Sequence, residues 1–357
     1  LEQRLAQQPR TVQGVQIGHE RIHLQAQLLR ALSLVQAEDP AEAAYCLHNL
    51  SYVAYLQARF EEAVTYAHDS LALSEPLGCH IHSAVAYNHL GMAYHRLGQL
   101  APARESYARA LALFRQHEPG RGLALTLNNL ANLLLESADW PAAEALYRES
   151  LALSEQLQYT HGRSLALNNL SYVLHRQGRN AEAEALAQEE LALVQQMGDA
   201  LSEAGSLDTL GMLALAQGDA ARAEHYHTAS LKLCRELEDP WGVATELNAL
   251  GQLALLRQAF TAARAHFTEA ATLALSIEAA PVALTALAGA AAALQGEGNA
   301  RLALALLTCV AQHPAATADL CAEAAERCAA LRAVLPTQAE RDSVLWTLPE
   351  AVRMLAM

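Results

Sequence analysis

His19-Glu20-Arg21-Ile22-His23 spells HExxH, the spacing that sets two imidazoles one helical turn apart around zinc with a carboxylate beside them to activate water. The flanks argue against that chemistry. Arg21 puts a charge where zinc-hydrolase helices carry apolar residues, and no third ligand is identifiable, although Glu38 or Glu42 can be proposed. A repeat helix accounts for the segment without metal, and zinc hydrolysis through residues 19–23 is kept only as a remote alternative. The pairs His80/His82 and His225/His227 are two residues apart, on different helix faces or in turns, and read as solvated surface groups. Cys46, Cys79, Cys234, Cys309, Cys321 and Cys328 sit singly with no CxxC pair. Reduced core thiols are expected, with Cys321 and Cys328 on a packing seam. No catalytic residue, metal ligand or cofactor is assigned.

Amides recur more regularly. His48, Asn88, Asn128, Asn168, Asp208 and Asn248 stand 40 residues apart, followed at the next position by Asn49, His89, Asn129, Asn169, Thr209 and Ala249. Asn costs around half a kcal/mol relative to Ala inside a helix, so its repetition calls for an offsetting role. Two roles stay open. The Asn side chains hydrogen-bond a neighbouring repeat or mark a duplicated ancestral unit, or they line a concave wall and read the backbone of a bound peptide. Helices packed about 10 Å apart, against a peptide advancing roughly 3.3 Å per residue, would present one rung to every third peptide residue. One turn on lie Tyr52, Met92, Asn132, Tyr172, Met212 and Gln252, then Tyr55, His95, Leu135, His175, Leu215 and Leu255. Some of these would set side-chain selectivity, whereas Leu135, Leu215 and Leu255 read as ordinary packing. The expected groove comprises Asn49, Asn88, Asn128, Asn129, Asn168, Asn169, Asp208, Asn248, Tyr52, Tyr172, His95 and His175.

The elements that position these residues are helices in pairs. Leu50, Leu90, Leu130, Leu170, Leu210 and Leu250 form one ladder, and Ala63, Ala103, Ala143, Ala183, Ala223, Ala263 and Ala303 form another in the same 40-residue register. Around Leu127 to Leu134 the apolar residues fall at i, i+3, i+4 and i+7, the stripe of a first helix. About eight residues after the ladder Leu, Gly98, Gly178, Gly218 and Gly298 supply the positive φ of a tight helix-to-helix turn. The second helix carries the Ala ladder, with small residues where two helices cross closely.

In this order Tyr87, Leu90, Gly91, Tyr94, Ala103, Tyr107 and Ala110 resemble the tetratricopeptide repeat. Leu210-Gly211 with Ala223, and Leu250-Gly251 with Ala263, Phe267 and Ala270, follow it, while Ser51, Ala131 and Ser171 replace the Gly. The period of 40 exceeds the common 34, as in the longer units of kinesin light chains and bacterial signalling proteins. The resemblance covers roughly residues 20 to 313 and implies an all-α, right-handed α-α superhelical solenoid. Residues 1–40 read as a partial first repeat, and Leu1 in place of a start Met reads as a fragment. Residues 41–313 hold six full units and a degenerate seventh that loses the Leu ladder at Ala290; residues 314–357 form C-terminal capping helices, patterned over 317–335 and 338–356.

The stretch Ala303 to Pro314 and the following Ala/Glu/Arg helix are similar to the ends of tetratricopeptide arrays in large bacterial regulators. There such arrays follow a signal-transduction ATPase of the STAND class or adjoin a DNA-binding domain. The resemblance implies a non-enzymatic sensor that binds a protein or peptide segment, with the ATPase or DNA-binding effector domain elsewhere on a longer chain. No GxxxxGK[ST] loop is present. A small-molecule effector sensor and a self-assembly scaffold are the alternatives. A net charge of −14 and a single lysine, Lys232, oppose direct nucleic-acid binding. No uncharged run of 18 apolar residues and no signal pattern appear, so a cytoplasmic chain without membrane contact is expected.

Overall fold

The computed structural model describes residues 25–33, 39–117, 119–335 and 346–356. They are helical throughout, joined by short turns, with no strand among the described residues. The HExxH segment at 19–23 lies outside them. The described residues up to Met197 form one compact unit and those from Gly198 a second.

In the first unit a short helix α1 (25–33) precedes α2 (Pro40–Leu56), α3 (Phe60–Ser74), α4 (His80–Arg96), α5 (Leu100–His117), α6 (Arg121–Glu136), α7 (Trp140–Gln156), α8 (Thr160–Arg176) and α9 (Asn180–Met197). The second holds α10 (Ala200–Ala216), α11 (Ala220–Glu236), α12 (Pro240–Leu256), α13 (Phe260–Ser276), α14 (Ala280–Gly296), α15 (Ala300–Gln312), α16 (Ala318–Val334) and α17 (Leu348–Ala356). Within each unit consecutive helices pack as pairs, and the first helices of successive pairs also touch, α2 with α4, α4 with α6, α6 with α8, and α12 with α14.

The turns recur every twenty residues, twice the frequency that the glycines advertise. Gly78, Gly98, Gly178, Gly198, Gly218 and Gly298 have positive φ, and so do Ala58, Ala138, Gln158, Glu238, Gln258 and Glu278. Both kinds close the preceding helix identically. Gly98 N donates to His95 O at 3.0 Å and Gln99 N to Tyr94 O at 2.9 Å; Ala58 N donates to Tyr55 O at 2.9 Å and Arg59 N to Ala54 O at 2.9 Å. Packing on both sides therefore holds six non-glycine residues left-handed, at a backbone cost of about 1 kcal/mol each. Side-chain oxygens of Asp39, Asp139, Asp199, Asp219 and Asn299 then cap the next helices.

All seven Ala of the second ladder are fully buried, and Leu50, Leu90, Leu170, Leu210 and Leu250 are buried with them. The residue after the ladder Leu is matched to the one sixteen positions on. Gly91, Gly211 and Gly251 lie against the rings of Tyr107, His227 and Phe267, where a Cβ would come within 2.7 Å of a ring atom. Where Ser51 and Ser171 replace that Gly, the partners are the buried Ala67 and Ala187. Each Ser donates its hydroxyl at 2.8 Å to the carbonyl of the Ala ladder, at Ala63 and Ala183.

At the C-terminal end α16 packs on α15, and α17 lies across α13, α14 and α15, burying Leu348, Ala351, Val352 and Leu355. The capping pattern expected over 338–356 is thus a nine-residue helix over Leu348–Ala356, and 336–345 lie outside the described residues.

Candidate functional site

The amide ladder divides according to which way each side chain is turned. Asn128 points between helices: its amide donates to Ala124 O at 3.2 Å and Ser150 Oγ at 2.5 Å, and its carbonyl oxygen is buried without a partner. Asn128 is 3% exposed and cannot line a groove, which corrects the expectation for this rung. Asn88 is also buried; its amide lies 3.6 Å from Met92 Sδ, and its Oδ1 accepts from Asn129 at 3.0 Å, 41 residues on. Asn248 is buried and donates to Val282 O on α14 at 3.3 Å. Asn88 and Asn248 thus tie adjacent first helices together, whereas Asn128 is bonded within its own helix pair.

The remaining rungs of the first unit reach the surface. Asn49, Asn129, Asn168 and Asn169 are half-buried, with Asn49 donating to Tyr45 O at 2.8 Å. Tyr52 is 40% exposed and stacks on His89 with ring centroids 5.1 Å apart. His89 bonds the carbonyl of His48 at 2.9 Å, another link between α4 and α2. Asn132, half-buried on α6, accepts from Tyr147 Oη at 2.5 Å. Tyr172 is half-buried and accepts from Arg176 at 3.0 Å. His95 pairs with Glu136 at 2.7 Å and His175 with Asn180 Oδ1 at 2.9 Å, so both are engaged at the turn ends of their helices. The structure therefore gathers Tyr52, His89, Asn129, Asn169 and Tyr172 on successive first helices, with Tyr45 and Asn49 at the α2 end.

An aromatic and histidine cluster lies on α2 and α4. His48 is buried, with Tyr45 edge-on at 5.2 Å and His82 stacked at 5.4 Å; its Nε2 lies 3.4 Å from His82 Nδ1. Burial, reinforced by His89 and His82, pushes His48 down to about 3, and burial pushes His89 down to about 4. His82 is half-buried, unlike the solvated group its spacing suggests, whereas His80 is exposed and stacks on His117 at 3.8 Å.

The second unit carries the largest departure from the sequence reading. The Asp208 carboxylate is turned toward a second-helix histidine: His227 Nδ1 lies 3.4 Å from its Oδ1 and 2.8 Å from Glu246 Oε2. His227 is 1% exposed and Glu246 3%, so the solvated reading of His227 is wrong. The register contains the missed signal, because His227 follows Ala223 as Tyr107 follows Ala103 and Phe267 follows Ala263. Burial, with Glu246 beside it and His227 opposing, raises Asp208 to about 7. Cys234, 4.0 Å from Ser230 Oγ, is pushed up to about 11 chiefly by burial and stays a thiol. Cys46, Cys309 and Cys328 are buried and Cys79 and Cys321 half-buried, all free.

Among the described residues no helix is long and apolar enough to cross a membrane. No curated protein matches the chain. Among solved structures, the apo form of the quorum sensor NprR from B. thuringiensis is 15% identical, with a TM-score of 0.61 over 83% of this chain and 85% of that one. A Rap protein complexed with Competence and Sporulation Factor is 16% identical, with a TM-score of 0.51 over 74% and 78%. A STAND protein with a tetratricopeptide repeat sensor from Pyrococcus horikoshii is 15% identical, with a TM-score of 0.53 over 84% of this chain and 53% of that one. These likenesses show the fold. Sequence profiles of the tetratricopeptide repeat match residues 43–75, 82–156 and 162–236, just over half of the chain. The chain belongs to the tetratricopeptide repeat family.

Proposed function

We propose that the chain is a non-catalytic recognition module whose first helices in the unit up to Met197 read an extended peptide or protein segment. The observation that carries this is the row on α2, α4, α6 and α8: exposed Tyr45 and Tyr52, then half-buried His89, Asn129, Asn169 and Tyr172. Amides donate and accept, so they suit a backbone of either polarity, and tyrosine offers apolar area with a polar tip. The NprR quorum sensor and the Rap protein complexed with Competence and Sporulation Factor share the fold, which supports a peptide as the ligand class. The STAND likeness supports a further reading: this array is the sensing part of a larger bacterial signalling protein that also carries an ATPase or DNA-binding effector domain.

A random peptide display library panned against the purified chain tests the recognition reading. Enriched peptides should bind wild type and lose about tenfold or more in affinity to Tyr52→Ala/Asn169→Ala, a pair chosen because both side chains reach the surface. An absence of enrichment, or binding indifferent to both substitutions in a variant of unchanged helicity, contradicts it.

A further inference from the structure

Three positions on three consecutive helices, two in one repeat and one in the next, depart together from what the other repeats carry. Asp208 stands where Asn88, Asn128, Asn168 and Asn248 stand elsewhere, and His227 where Tyr107, Tyr147 and Phe267 fill the core. Glu246 occupies a position held by Ala86, Thr126, Ala166, Ser206 and Ala286. The residues lie on α10, α11 and α12, yet their donor atoms come within 4.8 Å of one another. Packing alone does not call for this, since an apolar ring and a small residue fill the same space in the next repeat.

Charge makes the cluster more demanding still. A carboxylate withdrawn from water needs a matched charge. Here two carboxylates face one imidazole, and among the described residues His227 is the sole ion-pair partner of either.

We infer that Asp208, His227 and Glu246 bind a divalent first-row transition cation through Nδ1 of His227 and one oxygen from each carboxylate. Two carboxylates and a neutral imidazole balance a charge of +2. One nitrogen and two oxygen donors suit Zn²⁺ or Mn²⁺, and the imidazole disfavours Ca²⁺ and Mg²⁺. Metal–ligand bonds of about 2.1 Å place ligands about 3.0 Å apart in an octahedron and about 3.4 Å apart in a tetrahedron. The separations of 2.8 and 3.4 Å from Nδ1 to the two carboxylates already lie near those edges.

The surroundings fit as well. Ser230 Oγ stands 2.8 Å from Glu246 Oε1 and 2.9 Å from Ala204 O, an outer partner that orients the glutamate. The Asp208 side chain is 28% exposed while the other two are nearly closed off, so the cation enters past Asp208 and keeps a coordination position open on that side. Binding there pins α10, α11 and α12 through one point.

The test is calorimetric titration of the chelator-stripped full chain with Zn²⁺ and with Mn²⁺, paired with thermal melts. The control variant Asp208→Asn/His227→Phe/Glu246→Ala restores residues that neighbouring repeats use in the same register, which favours retention of the fold. The expected result is a single equivalent bound by wild type at this cluster, a raised Tm, and loss of both in the triple variant. Asp208→Asn alone should weaken binding about tenfold or more. No saturable uptake by wild type, or the same stoichiometry and affinity in a helical triple variant, overturns the site and moves any ion elsewhere, for example to residues 19–23. If the triple variant does not fold, Asp208→Asn decides, since this side chain is part-exposed: unchanged affinity overturns the assignment.

Discussion

His48 and His227 are both buried in first- or second-helix cores, yet their surroundings give them opposite characters. His48 is surrounded by aromatic rings and other histidines, with no carboxylate among its hydrogen-bond or ring partners in the described residues, and burial lowers it to about 3 and holds it neutral. His227 sits between two carboxylates on the neighbouring helices. The scaffold is the same in both places: a first helix, a left-handed turn and a second helix. The difference teaches that the repeat fixes where a side chain goes while its neighbours in the register decide what chemistry that place performs.

The strongest way to break the comparison is to remove the imidazole that the carboxylates share. His227→Ala leaves Asp208 and Glu246 facing each other and should destabilise the unit from Gly198 by about 3–5 kcal/mol in urea unfolding. The triple variant that restores Asn, Phe and Ala should recover most of this loss.

Acidification probes the other histidine. The folded values of His48 and His89, about 3 and about 4, lie below the ordinary 6.5, so the unfolded chain takes up protons first as pH falls. Their contribution is complete above about pH 6.5 and is lost progressively toward the folded values. Between pH 7 and pH 5 each should cost about 2 kcal/mol of stability in the unit up to Met197. His48→Asn, the residue that the register carries at Asn88, should flatten that dependence in parallel unfolding curves at the two pH values. An unchanged slope would show that His48 is not held neutral.

Smaller effects test the scaffold that both histidines share. Gly251→Ala would push a methyl to 2.7 Å from the Phe267 ring, which is also wedged against Gly289, and overpacking of this kind should cost about 1–3 kcal/mol. At the turns, Gly218→Ala at φ 82° should lose about 1 kcal/mol, and Ala138→Gly at φ 54° should gain somewhat less than that, both read from denaturation midpoints. Equal and negligible effects at the two turns would mean the left-handed residues are not strained.

Repetition made the fold legible. The Leu and Ala ladders placed both helices of each pair, and Gly98, Gly178, Gly218 and Gly298 marked turns that all have positive φ. The turns at Ala58, Ala138, Gln158, Glu238, Gln258 and Glu278 were hidden, because packing, not residue type, enforces their backbone. For the amides, spacing identified the helix and not the direction of the side chain: Asn128 and Asn129 are adjacent, and one is sealed against Ser150 while the other reaches the preceding first helix. The Asp208, His227 and Glu246 cluster was invisible locally, since its members stand nineteen residues apart on three helices. Only a comparison of each with its own register position would have exposed it.

The most direct test of the recognition surface is photo-cross-linking with a peptide enriched on the wild-type chain. A benzophenone side chain replaces Tyr52 on α2 in one preparation and the exposed Arg104 of second helix α5 in another. The account predicts covalent capture from position 52, competed away by unlabelled peptide, and none above background from position 104. Capture from 104 with none from 52 would contradict it and place the reading surface on the second helices.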